Sequence, residues 1–483
     1  MTALHFQSAT AIARAIRDGD ITARAALEHF LDRVDRLNGP INAVIVQDRE
    51  GARARADAAD AARVAGAALG PLQGLPMTIK ESYQFAGTAT TYGIPQMKDN
   101  VTQDTALAIQ RLAAAGANVF GKTNVPIRLA DFQSYNDIYG TTNNPWDHGR
   151  TPGGSSGGSA AALAAGLTGL EMGSDIGGSI RNPAHFCGVF GHKGTWNLIP
   201  PRGHALDDSV TPTDISVVGP LARSAFDLEL ALKLTAGPDL IETPGLKLDL
   251  PALEGPLSGL KIAIWASADP FCPTSAGVGA RIQAVADALG RAGAQVSDKA
   301  RPDISPEHTH TVFSALLSAA MAARLPEDDF RRRIAKADGA AADDMSPAVV
   351  QARWQTLRVR DWSTLNEQRN QLRWAWRRFF DDVDFLITPV MPVTAFPHDH
   401  GPEGSRVIDV DGRTVPYFNQ TFWAGLAGVV YLPATVFPAG LATDGLPVGL
   451  QIIGPAYGDL RTIQLAQRLE QLGFGFVAPK GFD

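Results

Sequence analysis

Gly153-Gly154-Ser155-Ser156-Gly157-Gly158-Ser159, followed by Gly173-Ser174-Asp175-Ile176-Gly177-Gly178-Ser179-Ile180-Arg181, is the most distinctive stretch of the chain. The Gly/Ser/Ala-rich block at 153–191 has neither the character of a flexible linker nor that of a coiled helix, and reads as two tight Gly–Ser turns set into ordered structure. Upstream, Gly70-Pro71 and Gly74 break an Ala-rich helix at 49–68, and Leu75-Pro76-Met77-Thr78-Ile79-Lys80 then reads as a short buried strand ending on a lysine. A helix at 104–115 and a strand at 117–120 follow. Downstream, strands at 261–265, 294–296, 384–389 and 446–453 alternate with helices at 276–292 and 459–472. An amphipathic helix pair at 8–37, turning at Asp18-Gly19-Asp20, opens the chain. This βα rhythm predicts an α/β fold. Residues 325–382, charged and carrying Trp354, Trp362, Trp374 and Trp376, fall outside it and are expected to form helices that cover a site.

A chain of 483 residues, 45% hydrophobic and 19% charged, is globular, needs no disulfide or metal to fold, and by length alone could hold two or so domain-sized units. With 43 basic against 50 acidic side chains, and no basic run beyond 331–333, nucleic acid is not expected as a partner. Cys187 and Cys272 lie in no metal-ligand spacing, and the start Met1-Thr2-Ala3-Leu4-His5 has no secretory pattern, so a cytoplasmic location is expected. The uncharged run 422–443 is interrupted by Pro433, Pro438 and Gly440. It is expected as buried strands with turns, with no membrane association.

Four motif matches fail on context. Gly116-Ala117-Asn118-Val119-Phe120-Gly121-Lys122-Thr123 fits a phosphate loop, but its middle is itself the strand and a helix precedes it, whereas a phosphate loop follows a strand and opens a helix. Ser258-Gly259-Leu260-Lys261 fits SxxK, but the lysine starts a strand. Gly153-Gly154-Ser155-Ser156-Gly157 fits a nucleophile elbow, yet it follows a loop containing Asn143-Asn144-Pro145 and Pro152 where a strand is required. The pairs His308/His310 and His398/His400 read as solvated loop residues and not as a metal site.

What remains, Lys80 at a strand end, Ser155-Ser156 in the first turn and 173–181 in the second, resembles the amidase signature family over nearly the whole chain, to Pro447-Val448-Gly449-Leu450-Gln451-Ile452-Ile453-Gly454. The spacings from Lys80 to Ser155 and from Ser155 to Ser179 fit as well. The resemblance implies one α/β/α unit over 1–483, with a large mixed central sheet, a catalytic core at 70–230 and the helical insertion 325–382. By the same resemblance Ser179 is the nucleophile, Ser155 a bridging serine in a cis peptide, and Lys80 the base. Ser156, Asp175 and Arg181 are supporting groups, for which a purely structural role is equally open. Leu129, Phe132 and Gln133 line the acyl side of the substrate pocket, or Leu129 and Phe132 fill the core. Gly194 stands where relatives carry proline, which is expected to loosen the following loop.

The chemistry is coherent. A serine hydroxyl needs a base, and a lysine serves only as a neutral amine, which burial favours. A bridging hydroxyl both donates and accepts, so it can relay the proton in either direction. The N–H groups of Ile176, Gly177, Gly178 and Ser179 are candidate oxyanion donors, each worth about 3 kcal/mol of barrier. The reaction implied is hydrolysis of an amide, carbamate or ester through an acyl-enzyme, with neither metal nor cofactor. Phe132, Tyr135, Trp196 and Trp423 suggest apolar or aryl small-molecule substrates. A homo-oligomer is left open. A glutamine-hydrolysing subunit of a transamidating complex is the alternative, and a nucleotide-binding protein the alternative of another class.

Overall fold

The computed structural model describes residues 2–206 and 209–482. The helix pair is present as α1 (Ala9–Asp18) and α2 (Ala23–Ile41), capped by Ser8 and Thr22 and burying Ile12, Ile16, Leu27 and Phe30. Then come β1 (Val44–Gln47), α3 (Arg49–Val64), β2 (Pro76–Lys80), α4 (Leu107–Ala114) and β3 (Asn118–Thr123). The three strands form a small sheet ordered β1-β3-β2, with β2 parallel to β3. β3 runs three residues past the expected 117–120, so Gly121-Lys122-Thr123 is strand. A Cβ at Gly121 would lie 2.6 Å from the Val46 carbonyl oxygen, and Lys122 is buried on the Ala89 carbonyl and Thr90. No helix opens there, so no phosphate loop is built.

Two short strands, β4 (Tyr135–Asn136) and β5 (Gly140–Thr141), pair before α5 (Gly157–Ala164), β6 (Glu171–Asp175), α6 (Arg181–Cys187), β7 (Phe190–Lys193), β8 (Val217–Ala222) and α7 (Ala225–Thr235). The chain goes on through β9 (Lys261–Ile264), α8 (Ala276–Arg291), β10 (Gln295–Ser297), α9 (Pro306–Ala322), α10 (Glu327–Gly339), α11 (Pro347–Gln355) and α12 (Val359–Asp382). It ends with β11 (Phe385–Pro389), the hairpin β12 (Val407–Val410) and β13 (Arg413–Pro416), α13 (Thr421–Gly428), β14 (Ala434–Leu441), β15 (Pro447–Ile453) and α14 (Asp459–Gln471). Eight strands make the central sheet in the order β10-β9-β11-β15-β14-β7-β8-β6, parallel at β10-β9-β11 and antiparallel beyond. The fold is therefore α/β with a large mixed central sheet, as the resemblance implies.

Two expectations are corrected. Residues 422–443 are not all strand: α13 occupies the first part and β14 the second, divided at Pro433. Every residue of α13 is buried, so its sequence shows no polar face and period cannot separate helix from strand. His308 and His310 ride on α9, not on a loop, and His310 packs edge-on to Phe271 and Phe422. The 325–382 segment is helical. α11 and α12 pack against α9, which packs in turn against α13; α10 buries no residue. Among the described residues no helix is long and apolar enough to cross a membrane.

Candidate active site

β2 is buried along its whole length, and the Thr78 N–H donates to Thr168 Oγ at 2.8 Å, which fixes the strand whose last residue is Lys80. Lys80 Nζ lies 2.7 Å from Ser155 Oγ and 2.9 Å from Ser174 Oγ. Burial pulls the Lys80 pKa down to about 7, against the opposing pull of the Asp175, Glu171 and Glu81 carboxyls. Lys193 is equally buried, but its Nζ donates to two carbonyls, Gly194 at 3.0 Å and Leu432 at 2.7 Å. Carbonyls accept only. The two hydroxyls around Lys80 can donate as well, so a neutral amine with its lone pair free is satisfied there.

Ser155 lies in the loop before α5, and its peptide bond with Gly154 is cis. A Cβ on Gly154 would sit 2.3 Å from the Asp131 carbonyl oxygen, so glycine is required for the close approach of these two loops. The Ser156 N–H donates to the Ser179 carbonyl at 3.0 Å, and Ser156 Oγ contacts the backbone of Ser174 at 3.3 and 3.4 Å. Ser156 therefore ties the two Gly–Ser turns together. Ser179 is 6% exposed, and its Oγ has no hydrogen-bond partner among the described residues, so the Ser155–Ser179 link is not made in the resting geometry. Such bonds commonly tighten only with substrate bound.

Asp175 and Arg181 brace the second turn. The Asp175 carboxylate accepts from the N–H groups of Gly178, Ile180 and Arg181 at 2.9–3.3 Å, and from Arg181 Nε and Nη2 at 3.0 and 2.8 Å. Burial pushes its pKa up, but the Arg181 guanidinium outweighs this and holds it down to about 2. Arg181 Nη1 continues to the Ala424 carbonyl and Gln451, each at 3.0 Å. One expected oxyanion donor is removed: the Gly178 N–H is spent on Asp175, which leaves Ile176, Gly177 and Ser179 as candidates. Gly178 has φ +118°, and a Cβ there would lie 3.1 Å from Ala424 Cβ and 3.4 Å from Phe132 Cε1.

Phe132, Ala424 and Met391 therefore wall the Gly178 side of the turn, and Leu317 of α9 stands nearest Gly177. Gln133 is a correction. Its Nε2 donates to the Asp399 carbonyl at 2.6 Å and its Oε1 accepts the Asp399 N–H at 2.9 Å, so this buried amide fastens a loop and does not face a substrate. Leu129 is half-buried at the end of a short 3₁₀ turn, with φ +58°. Tyr135 stacks on His400, Trp196 stacks on Tyr431, and Trp423 is core beside Trp265 and Phe422. Of the four aromatics expected at the pocket, only Phe132 borders the turn. The loop after Gly194 is not loosened: the Thr195 N–H and Oγ both donate to Asp459, each at 2.7 Å.

Sequence reasoning missed Ser174, Met391, Ala424 and Leu317. Ser174 lies inside the second Gly–Ser motif, where its placement on the strand before the turn was the available signal; the other three come from distant elements with no local cue.

The amidase family model matches residues 25–463. A glutamyl-tRNA(Gln) amidotransferase subunit from Synechococcus sp. (strain RCC307) is 32% identical over 479 residues, covering 95% of each chain. A chain of the vestigial protein complex described as revealing the evolutionary origins of an s-triazine catabolic enzyme superposes with TM-score 0.81 at 29% identity, covering 98% of this chain and 100% of that one. 6-Aminohexanoate cyclic dimer hydrolase superposes with TM-score 0.77 at 27% identity, covering 99% and 100%. With the family model matched over residues 25–463, a relative 32% identical over 95% of the chain and the fold shared with solved amide hydrolases, the chain belongs to the amidase family and is a hydrolase of amide C–N bonds.

Proposed function

We propose that hydrolysis proceeds through an acyl-enzyme on Ser179, with Lys80 as the base and Ser155 as the relay between them. The observation that carries this reading is the 2.7 Å pairing of a buried Lys80 with Ser155, in surroundings that offer the amine hydroxyls and no carboxylate partner. Neutral Lys80 takes the Ser155 proton as Ser155 takes that of Ser179. Ser179 Oγ then bonds to the substrate carbonyl carbon, and the carbonyl electron pair moves to oxygen, facing the N–H groups of Ile176, Gly177 and Ser179. When the C–N bond breaks, the proton returns from Lys80 through Ser155 to the leaving nitrogen. Water repeats the sequence on the ester to release the acid and free Ser179.

The walls given by Phe132, Met391, Ala424 and Leu317 are apolar, which supports an apolar acyl or aryl group in an amide, carbamate or ester. The curated relatives favour a second reading, a glutamine-hydrolysing subunit of a transamidating complex; their name speaks of a subunit, not of the homo-oligomer left open above. The ratio of kcat/KM for an acylanilide to that for glutamine, measured on the chain alone and with candidate partner subunits, decides between them. An anilide preference of the chain alone supports the first reading. A glutamine activity that needs partners establishes the second.

A further inference from the structure

Two acidic residues of β6 lie in opposite surroundings. Asp175 has both oxygens filled by N–H donors, as an ionised carboxylate requires. Glu171, fully buried at the other end of the strand, accepts a short hydrogen bond from Thr78 Oγ on Oε1, while its Oε2 has no partner within hydrogen-bond distance. The hydroxyls of Thr123 and Ser159, 2.9 Å apart, flank the same carboxyl, with the Met172 N–H as the one further polar group acting on it. Among the described residues no cation pairs with it. A bare carboxylate oxygen in a dry interior is costly, whereas a carboxylic acid among hydroxyls is not. Thr78 precedes Lys80 by two on the same strand, so this carboxyl holds the segment that carries the base.

We propose that Glu171 is held as a neutral carboxylic acid and acts as a positioning residue for Lys80. It anchors β2 through Thr78 without adding a further buried negative charge to the acidic groups already acting on the amine. Desolvation is the main cause that lifts the Glu171 pKa to about 8, in the same direction. The other ionisable groups acting on Lys80 are Asp175 from the same strand and Glu81 from the segment following β2. His204, in the loop after β7, is kept neutral by burial and by Lys80. Tyr83, whose hydroxyl donates to the Gly173 carbonyl at 2.7 Å, faces Glu171 and stays protonated. Beyond Asp175 stand Arg181 and Lys193. The proposal rests on Lys80 being the base, but its protonation readout does not depend on activity.

Infrared difference spectra of the full chain against Glu171→Gln, taken across neutral pH, should show a protonated-carboxyl band that the variant lacks. The variant, a permanently neutral mimic, should keep the ascending limb of its kcat/KM profile within about 0.3 pH unit of wild type. If Glu171 were instead the ionised partner of a lysine ammonium, the band would be absent and the limb would move toward acid by about one unit or more, because the charge favouring the ammonium is gone. Either result overturns the proposal. Should Glu171→Gln not fold, Thr78→Val serves: with the Thr78 donor removed, the band should shift in frequency and persist to higher pH, and an unmoved or absent band overturns it. A Lys80→Ala variant of unchanged activity would refute the base assignment and leave the infrared result standing.

Discussion

Lys80 is where burial does chemical work. Its pKa, brought to about 7 from an ordinary 10.5, leaves a large neutral fraction at physiological pH. Only the neutral amine accepts a proton, so kcat/KM should fall as pH drops below about 7 and reach a plateau above it, which a pH–rate profile reads directly. The linked stability has the same origin. Between about pH 7 and 10.5 the unfolded lysine holds a proton that the folded one has lost, so the contribution of Lys80 to stability rises with pH across that window. Thermal melts of wild type and Lys80→Met should show the variant relatively more stable at neutral pH, with the gap narrowing toward alkaline pH. Ser179→Ala, Ser155→Ala and Lys80→Ala should each lower kcat by roughly 10³-fold or more, and combined should cost little beyond one alone, because they act as a unit.

At the scale of elements, the turn between β6 and α6 depends on a buried ion pair. Asp175→Asn leaves Arg181 charged and uncompensated, and should cost about 3–5 kcal/mol in a denaturant titration as well as most activity. Gly178→Ala should spare the fold and lower kcat, since φ +118° and the Ala424 Cβ at 3.1 Å force the turn to move. A circular dichroism melt beside steady-state kinetics separates the two. The turn was legible in the sequence because its glycines and polar residues are consecutive. β2 was legible because an apolar run ended on a lysine. α13 was not, because a helix buried on all sides carries no polar stripe. The loss of the Gly178 donor was not legible either, because which oxygen of Asp175 meets which N–H depends on the side-chain rotamer.

At the scale of the molecule, the mixed central sheet sets β6 at one edge, and the small sheet brings β2 against it, so residues from both turns and both sheets meet around Lys80. The other apolar side chains beside the turn come from α9, α13 and the segment after β11, far along the chain, which is why the family resemblance named Phe132 but not Met391 or Ala424. An acylanilide should exceed glutamine in kcat/KM by roughly 30-fold on the chain alone, the equivalent of about 2 kcal/mol from burying an aryl group against those walls. The most direct test of the relay is covalent trapping: the chain is inactivated with a serine-directed phosphonate and the adduct is located by peptide mass spectrometry. The adduct is expected on Ser179, and its formation should slow sharply in Ser155→Ala and Lys80→Ala. An adduct on Ser155, with Ser179→Ala still active, would contradict it.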